Sequence, residues 1–102
     1  MLLDDVYARL KKERLCSSAY EFSVRFLGKS PGYYSVLKAR DEQPSIEAVV
    51  TLETALMHKA SLFSNTHPIF VKARESLFQL SKDVADYRAV RVRSKLSNSL
   101  RT

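Results

Sequence analysis

The sequence predicts an all-α domain of five helices, the last of them long, and three observations carry that prediction. Apolar residues recur at three- and four-residue spacing from Leu3 to Leu10, around Phe22 to Leu27, from Ile46 to Leu56 and from Phe70 to Tyr87. Stop and start signals crowd together at Leu27-Gly28-Lys29-Ser30-Pro31, so two helices meet there at a tight turn. Two further starts are marked, at Pro44-Ser45 and at Pro68.

In order, Leu3, Val6, Tyr7 and Leu10 give the first helix, with Asp4 and Asp5 suited to its first turn and Lys11, Lys12 and Arg14 to its last. A break follows at Cys16-Ser17-Ser18. Ser17 or Ser18 then caps a second helix whose apolar face is Phe22, Phe26 and Leu27, and Glu21 stands where a capping box would place it. Gly28 can take the positive φ that ends this helix, Ser30 can cap the next, and Pro31 fits its first turn. The third helix is expected over about 31–40, with Tyr34 and Leu37 inward and Ser30, Gly32, Tyr33, Ser35, Val36 and Ala39 outward. Ser45 opens the fourth, in which Ile46, Val49, Val50, Leu52 and Leu56 form an apolar stripe. A connector collects Ser64, Asn65, Thr66 and His67 before Pro68, and a long fifth helix runs from there to about Val90 or Arg93.

The fifth helix carries a second pattern. Phe70, Ala73, Leu77, Leu80, Val84 and Tyr87 are spaced as alternating a and d positions of a coiled coil, with the register breaking at Arg91. The stripe either joins two chains or packs on the chain's own first four helices; a homodimer through it is the expectation. Residues 1–60 are then a helix-turn-helix domain, 61–93 a connector and dimerisation helix, and 94–102 a basic flexible tail. That tail can grip phosphates or simply solvate the end of the chain.

Charge narrows the partner. Seventeen Lys and Arg against eleven Asp and Glu leave a net charge of +6, which favours an anionic surface. From Arg25 to Arg40 the charged residues are Arg25, Lys29, Lys38 and Arg40, with no acid among them. Asp41, Glu42, Glu47 and Glu53 make the following segment acidic, so helix four belongs at the back of the fold.

Other classes are disfavoured. A chain of 102 residues, 45% of them hydrophobic, has material for one core and leaves no room for a second, catalytic domain. Cys16, His58 and His67 fall on different predicted elements with no motif around them, so neither catalysis nor a zinc site is expected. Gly28 and Gly32 are the only glycines, which leaves no Gly-rich phosphate loop and no cofactor to expect. A single cysteine forms no intramolecular disulfide and points to the reducing cytoplasm. MLLDDVYARLKKE lacks the apolar core of a secretion signal, and no run reaches membrane-spanning length, so no membrane association is expected.

Leu10 to Leu56, about half the chain, resembles the lambda-repressor and Cro-like helix-turn-helix domains of bacterial and phage regulators. The resemblance rests on Phe22-Ser23 followed by Phe26, on Tyr34 and Leu37, and on Gln43-Pro44-Ser45-Ile46-Glu47, which is similar to the family's Pro-Ser-Leu-Glu opening of helix four. It implies that helix two bridges the backbone of double-stranded DNA while helix three lies in the major groove. The DNA contacts would then come from Lys29, Ser30, Gly32, Tyr33, Ser35, Val36, Lys38 and Arg40. Counting from Phe22, one more residue precedes Ser30 than the family's usual spacing allows, so either helix two or the turn is longer by one. Helix three also lacks the Gln, Asn or Arg that commonly read bases, which leaves van der Waals contact, water or shape. Tyr33 either stacks on the nucleic acid or serves as a second core aromatic beside Tyr34. The expected function is a small dimeric DNA-binding regulator, a repressor or a mobile-element factor. The competing expectation is a non-catalytic adapter that uses the same scaffold and binds a protein through the last helix.

Overall fold

A computed structural model describes residues 1–63 and 67–100. Helices α1 (Leu2–Lys12), α2 (Ala19–Glu21, continued by a π turn at Phe22–Phe26), α3 (Tyr33–Arg40), α4 (Ile46–Ser61) and α5 (Pro68–Leu100) account for the regular structure, and no strand occurs among the described residues. The fold is all-α with a long C-terminal helix, as the sequence predicts. Ser64, Asn65 and Thr66 of the expected connector, and Arg101 and Thr102 of the tail, lie outside the described residues.

Local signals place most boundaries. Ser18 accepts the Glu21 N–H at 3.1 Å and so caps α2, whereas the Glu21 carboxylate accepts from the Ser17 hydroxyl at 2.7 Å instead of completing a capping box. Ser45 accepts the Ala48 N–H at 3.1 Å and opens α4. His67 opens α5, its Nδ1 accepting the Ile69 N–H at 3.2 Å and its carbonyl the Val71 N–H at 3.0 Å. Asp41 takes a left-handed conformation with φ 52°, and the Glu42 N–H reaches back to the Leu37 carbonyl at 2.9 Å, which closes α3.

Within the fold α4 is the hub, and it runs antiparallel to α5. The Phe63 and Phe70 rings meet at 5.9 Å where α4 ends and α5 begins, while Arg88 Nε contacts Glu53 Oε2 at 2.8 Å toward the other end. Val49, Leu52, Leu56 and Ala60 are buried against this neighbour; Val50, expected inward, is exposed because it lies a quarter-turn off that stripe. At the C-terminal end of α1, Arg9, Ser76 and Glu13 form a network that ties α1 to α5, the Ser76 hydroxyl donating to Glu13 Oε1 at 2.6 Å.

Two expectations about α5 are corrected. Leu77, Leu80 and Val84 belong to the same buried cluster as Leu3, Leu10, Phe22 and Leu52, so the stripe packs within one chain and those side chains are not a free seam. Ala73 is half-buried, Tyr87 packs against the core and donates its hydroxyl to Gln43 Oε1 at 2.6 Å, and only Phe70 stays largely open, with Phe63 and His67 beside it. The core therefore does not stop at residue 60, because α5 contributes Leu77, Leu80 and Val84 to it. Nor does the helix fray after Arg93. From Ile69 to Leu100 the sequence has neither glycine nor proline to stop it, and the register break at Arg91 ends the packing rather than the helix.

Candidate nucleic-acid interface

The corner between α2 and α3 is built by three devices. The Leu27 N–H bonds to the Phe22 carbonyl at 3.1 Å, a π-type closure that takes up one extra residue inside α2. Gly28 follows with φ +64°, and the Lys29 N–H returns to the Ser23 carbonyl at 3.0 Å. The chain then turns through Pro31 and Gly32, so α3 starts at Tyr33, two residues later than expected, and the Ser30 hydroxyl does not cap it.

The cap comes from α2 instead. Ser23 is fully buried, and its Oγ accepts the Tyr34 N–H at 3.1 Å, satisfying a donor at the start of α3 that has no partner within its own helix. The apolar-small pair Phe22-Ser23 carried this signal in the sequence, but its use as a cap eleven residues away was not legible there. Ser23→Ala should lower stability by about 1–3 kcal/mol, the cost of stranding a buried N–H, as read by chemical denaturation. An unchanged midpoint would show that the Tyr34 N–H finds another partner.

Below the corner sits an aromatic cluster. Tyr34 packs edge-on to Phe22 at 5.1 Å and to Tyr7 at 5.2 Å, and its hydroxyl donates a short hydrogen bond to Asp4 Oδ1. Burial first, and then that hydrogen bond, push the Tyr34 phenol well above its usual range, so it stays a donor. With Leu37 also buried, two side chains of α3 face the core.

On the opposite side, Gly32, Ser35, Val36 and Ala39 fall at i, i+3, i+4 and i+7 and are all exposed. Nothing stands within 4 Å of where a Gly32 Cβ would lie. Ser30, Lys38 and Arg40 are exposed beside this stripe. Tyr33 is placed differently: it is half-buried against the core, its hydroxyl accepts the Ser45 N–H at 3.0 Å, and Lys29 Nζ lies over its ring at 5.9 Å. Its polar end is therefore engaged by the start of α4.

The face is also less positive than the run from Arg25 to Arg40 implies. Lys29 Nζ lies 3.3 Å from Glu47 Oε1, and Lys38 Nζ lies 3.8 Å from Asp4 Oδ1. Both pairs are solvent-exposed, worth about 0–1 kcal/mol each, and readily exchanged for a phosphate. Arg25 and Arg40 make no ion pair among the described residues.

The residues weighed for chemistry remain apart from this face. Cys16 is buried, its thiol donating to the Ser18 carbonyl at 3.4 Å, and burial raises its pKa so that the thiolate is disfavoured. His67 serves as the cap of α5. Among the described residues no group of three His, Cys, Asp or Glu is placed to hold a metal, and no helix is long and apolar enough to cross a membrane.

Comparison with curated proteins and with solved structures finds no match. A family model does match, over residues 3–97, from α1 into α5, and the chain belongs to that family, described as a family of unknown function, DUF6626.

Proposed function

We propose that this protein binds duplex DNA, with α3 in the major groove and α2 across the backbone, and that it acts as a small regulator of the repressor or mobile-element kind. The observation that carries the reading is the outward stripe Gly32, Ser35, Val36 and Ala39 on a helix pinned to α2 by the Ser23 cap, with Lys38 and Arg40 exposed on the same helix. Small side chains let a helix approach base edges closely. Val36 and Ala39 suit thymine methyl groups, and Ser35 suits several bases, so specificity would rest on methyl contact and groove shape more than on paired hydrogen bonds. What weighs against the adapter reading is that Leu77, Leu80 and Val84 of the α5 stripe are buried in the chain's own core.

The decisive experiment is a titration of the whole chain with a pool of random-sequence duplexes. With about four phosphates neutralised, affinity should fall about a hundredfold between roughly 50 and 200 mM salt. Binding that is absent, or flat with salt, overturns the proposal. Val36 is 46% exposed, so Val36→Glu leaves folding intact while placing a carboxylate against the groove. Thermal stability should stay within about 0.5 kcal/mol, whereas duplex affinity should drop by roughly a hundredfold. Wild-type affinity in this variant would remove α3 from the groove.

A further inference from the structure

We infer that the end of α5 is a second duplex-gripping element, a rigid cationic arm that takes hold of the phosphate backbone beside the α3 site; this rests on the DNA-binding reading above. At 1.5 Å per residue the 33 residues of α5 span about 50 Å, close to the 53 Å long axis of the molecule and twice its 26 Å width. Packing against α4 ends near Tyr87, so the rest of the helix projects. Ala89, Val90 and every residue from Val92 to Leu96 are exposed.

The root of the arm is fixed in direction by three contacts. Arg88 pairs with Glu53, the Tyr87 hydroxyl donates to Gln43, and Arg91 donates a short hydrogen bond to the Pro44 carbonyl. The last two partners lie in the α3–α4 loop, three and four residues after Arg40. The arm is therefore anchored to the loop that follows α3, a few residues along the chain from Lys38 and Arg40.

Charge then distinguishes the occupant. Past Asp86 the sequence has five cations and no acid. Arg93 and Lys95 are exposed and make no ion pair among the described residues. Like charges on a projecting helix disfavour a second copy of the same arm and favour a polyanion. Held in a helix, Arg93 and Lys95 meet phosphates without the ordering cost that a frayed tail would bear. One chain thus grips duplex DNA at two places, which compensates for weak base contacts in the way a second protomer would.

The test uses the full chain with Arg93→Ala and Lys95→Ala together, alanine preserving the helix; Arg91 is left alone because it anchors the root. Against random-sequence duplexes of about 20 base pairs, long enough for two turns of groove, the double variant should bind about tenfold or more weakly at roughly 0.1 M salt, with the salt slope reduced by about two. The loss should be the same for all sequences, with circular dichroism and sedimentation unchanged. If the wild type binds with a steep slope and the variant matches it, the arm is merely solvated and the DNA reading survives. If the variant instead loses a dimer that the wild type forms, the arm serves a second copy and the inference is overturned. A wild type that binds no duplex at any salt sinks the parent reading, and this inference with it.

Discussion

Leu77→Glu should unfold the domain rather than split a dimer. Leu77 is fully buried, in a cluster with residues of all five helices. A carboxylate there has no partner and no water, so it either stays charged at a cost of several kcal/mol or takes up a proton and still strands polar atoms among leucines. A domain of this size is stable by about 5–15 kcal/mol, and the change consumes much or all of that margin. The expected observation is loss of the cooperative thermal transition, or a fall in Tm of at least about 15 °C where one survives. Val92→Glu, on the exposed arm, is the control and should cost under about 0.5 kcal/mol. The opposite outcome has a clear meaning: a Leu77→Glu protein that melts as the wild type does, at half the sedimenting mass, would return the stripe to an interface between chains.

That contrast shows where periodicity runs out. Spacings of three and four between Phe70 and Tyr87 state that one face of a helix is buried, but not against what. A coiled-coil partner and the hub helix α4 ask for the same residues, and only the tertiary structure shows Leu77, Leu80 and Val84 sharing one buried cluster with Leu52, Leu56 and Ala60. Local chemistry fared differently. The caps at Ser18 and Ser45, the left-handed Gly28 and the helix start at Pro68 are short-range signals and are legible residue by residue. The electrostatics of α3 were not, because Glu47 and Asp4 reach Lys29 and Lys38 from other helices, 18 and 34 positions away in the chain. The same holds for Ser23, whose smallness was visible and whose hydrogen bond to Tyr34 was not. The π turn is a third such case, since no residue between Phe22 and Phe26 marks it and only the bond from the Leu27 N–H to the Phe22 carbonyl shows it.

Gly28→Val should cost about 2–4 kcal/mol, through two separable causes. The first is the backbone: φ is +64°, a region in which a β-branched residue is strained. The second is space. A Cβ built on Gly28 would stand 3.0 Å from Thr51 Cγ2, and Thr51 is not free to turn away, because its hydroxyl donates to the Glu47 carbonyl at 2.9 Å. Valine adds two methyl groups to that contact, so either the rotamer of Thr51 breaks its hydrogen bond or α2 shifts from α4. The melting temperature should fall by about 8 °C or more. Combining Gly28→Val with Thr51→Ala separates the causes: removing the threonine methyl and hydroxyl should restore part of the loss, and the remainder measures the left-handed conformation alone. Gly28→Asn, whose side chain tolerates positive φ, should lose less than the valine variant. Because Gly28 sets the angle at which α3 leaves α2, duplex affinity should fall in the valine variant even below its melting range, while the Ser23 cap and the π turn stay in place. A valine variant with wild-type Tm would mean that the chain ends α2 some other way, and the corner that presents α3 would then have to be rebuilt without its glycine.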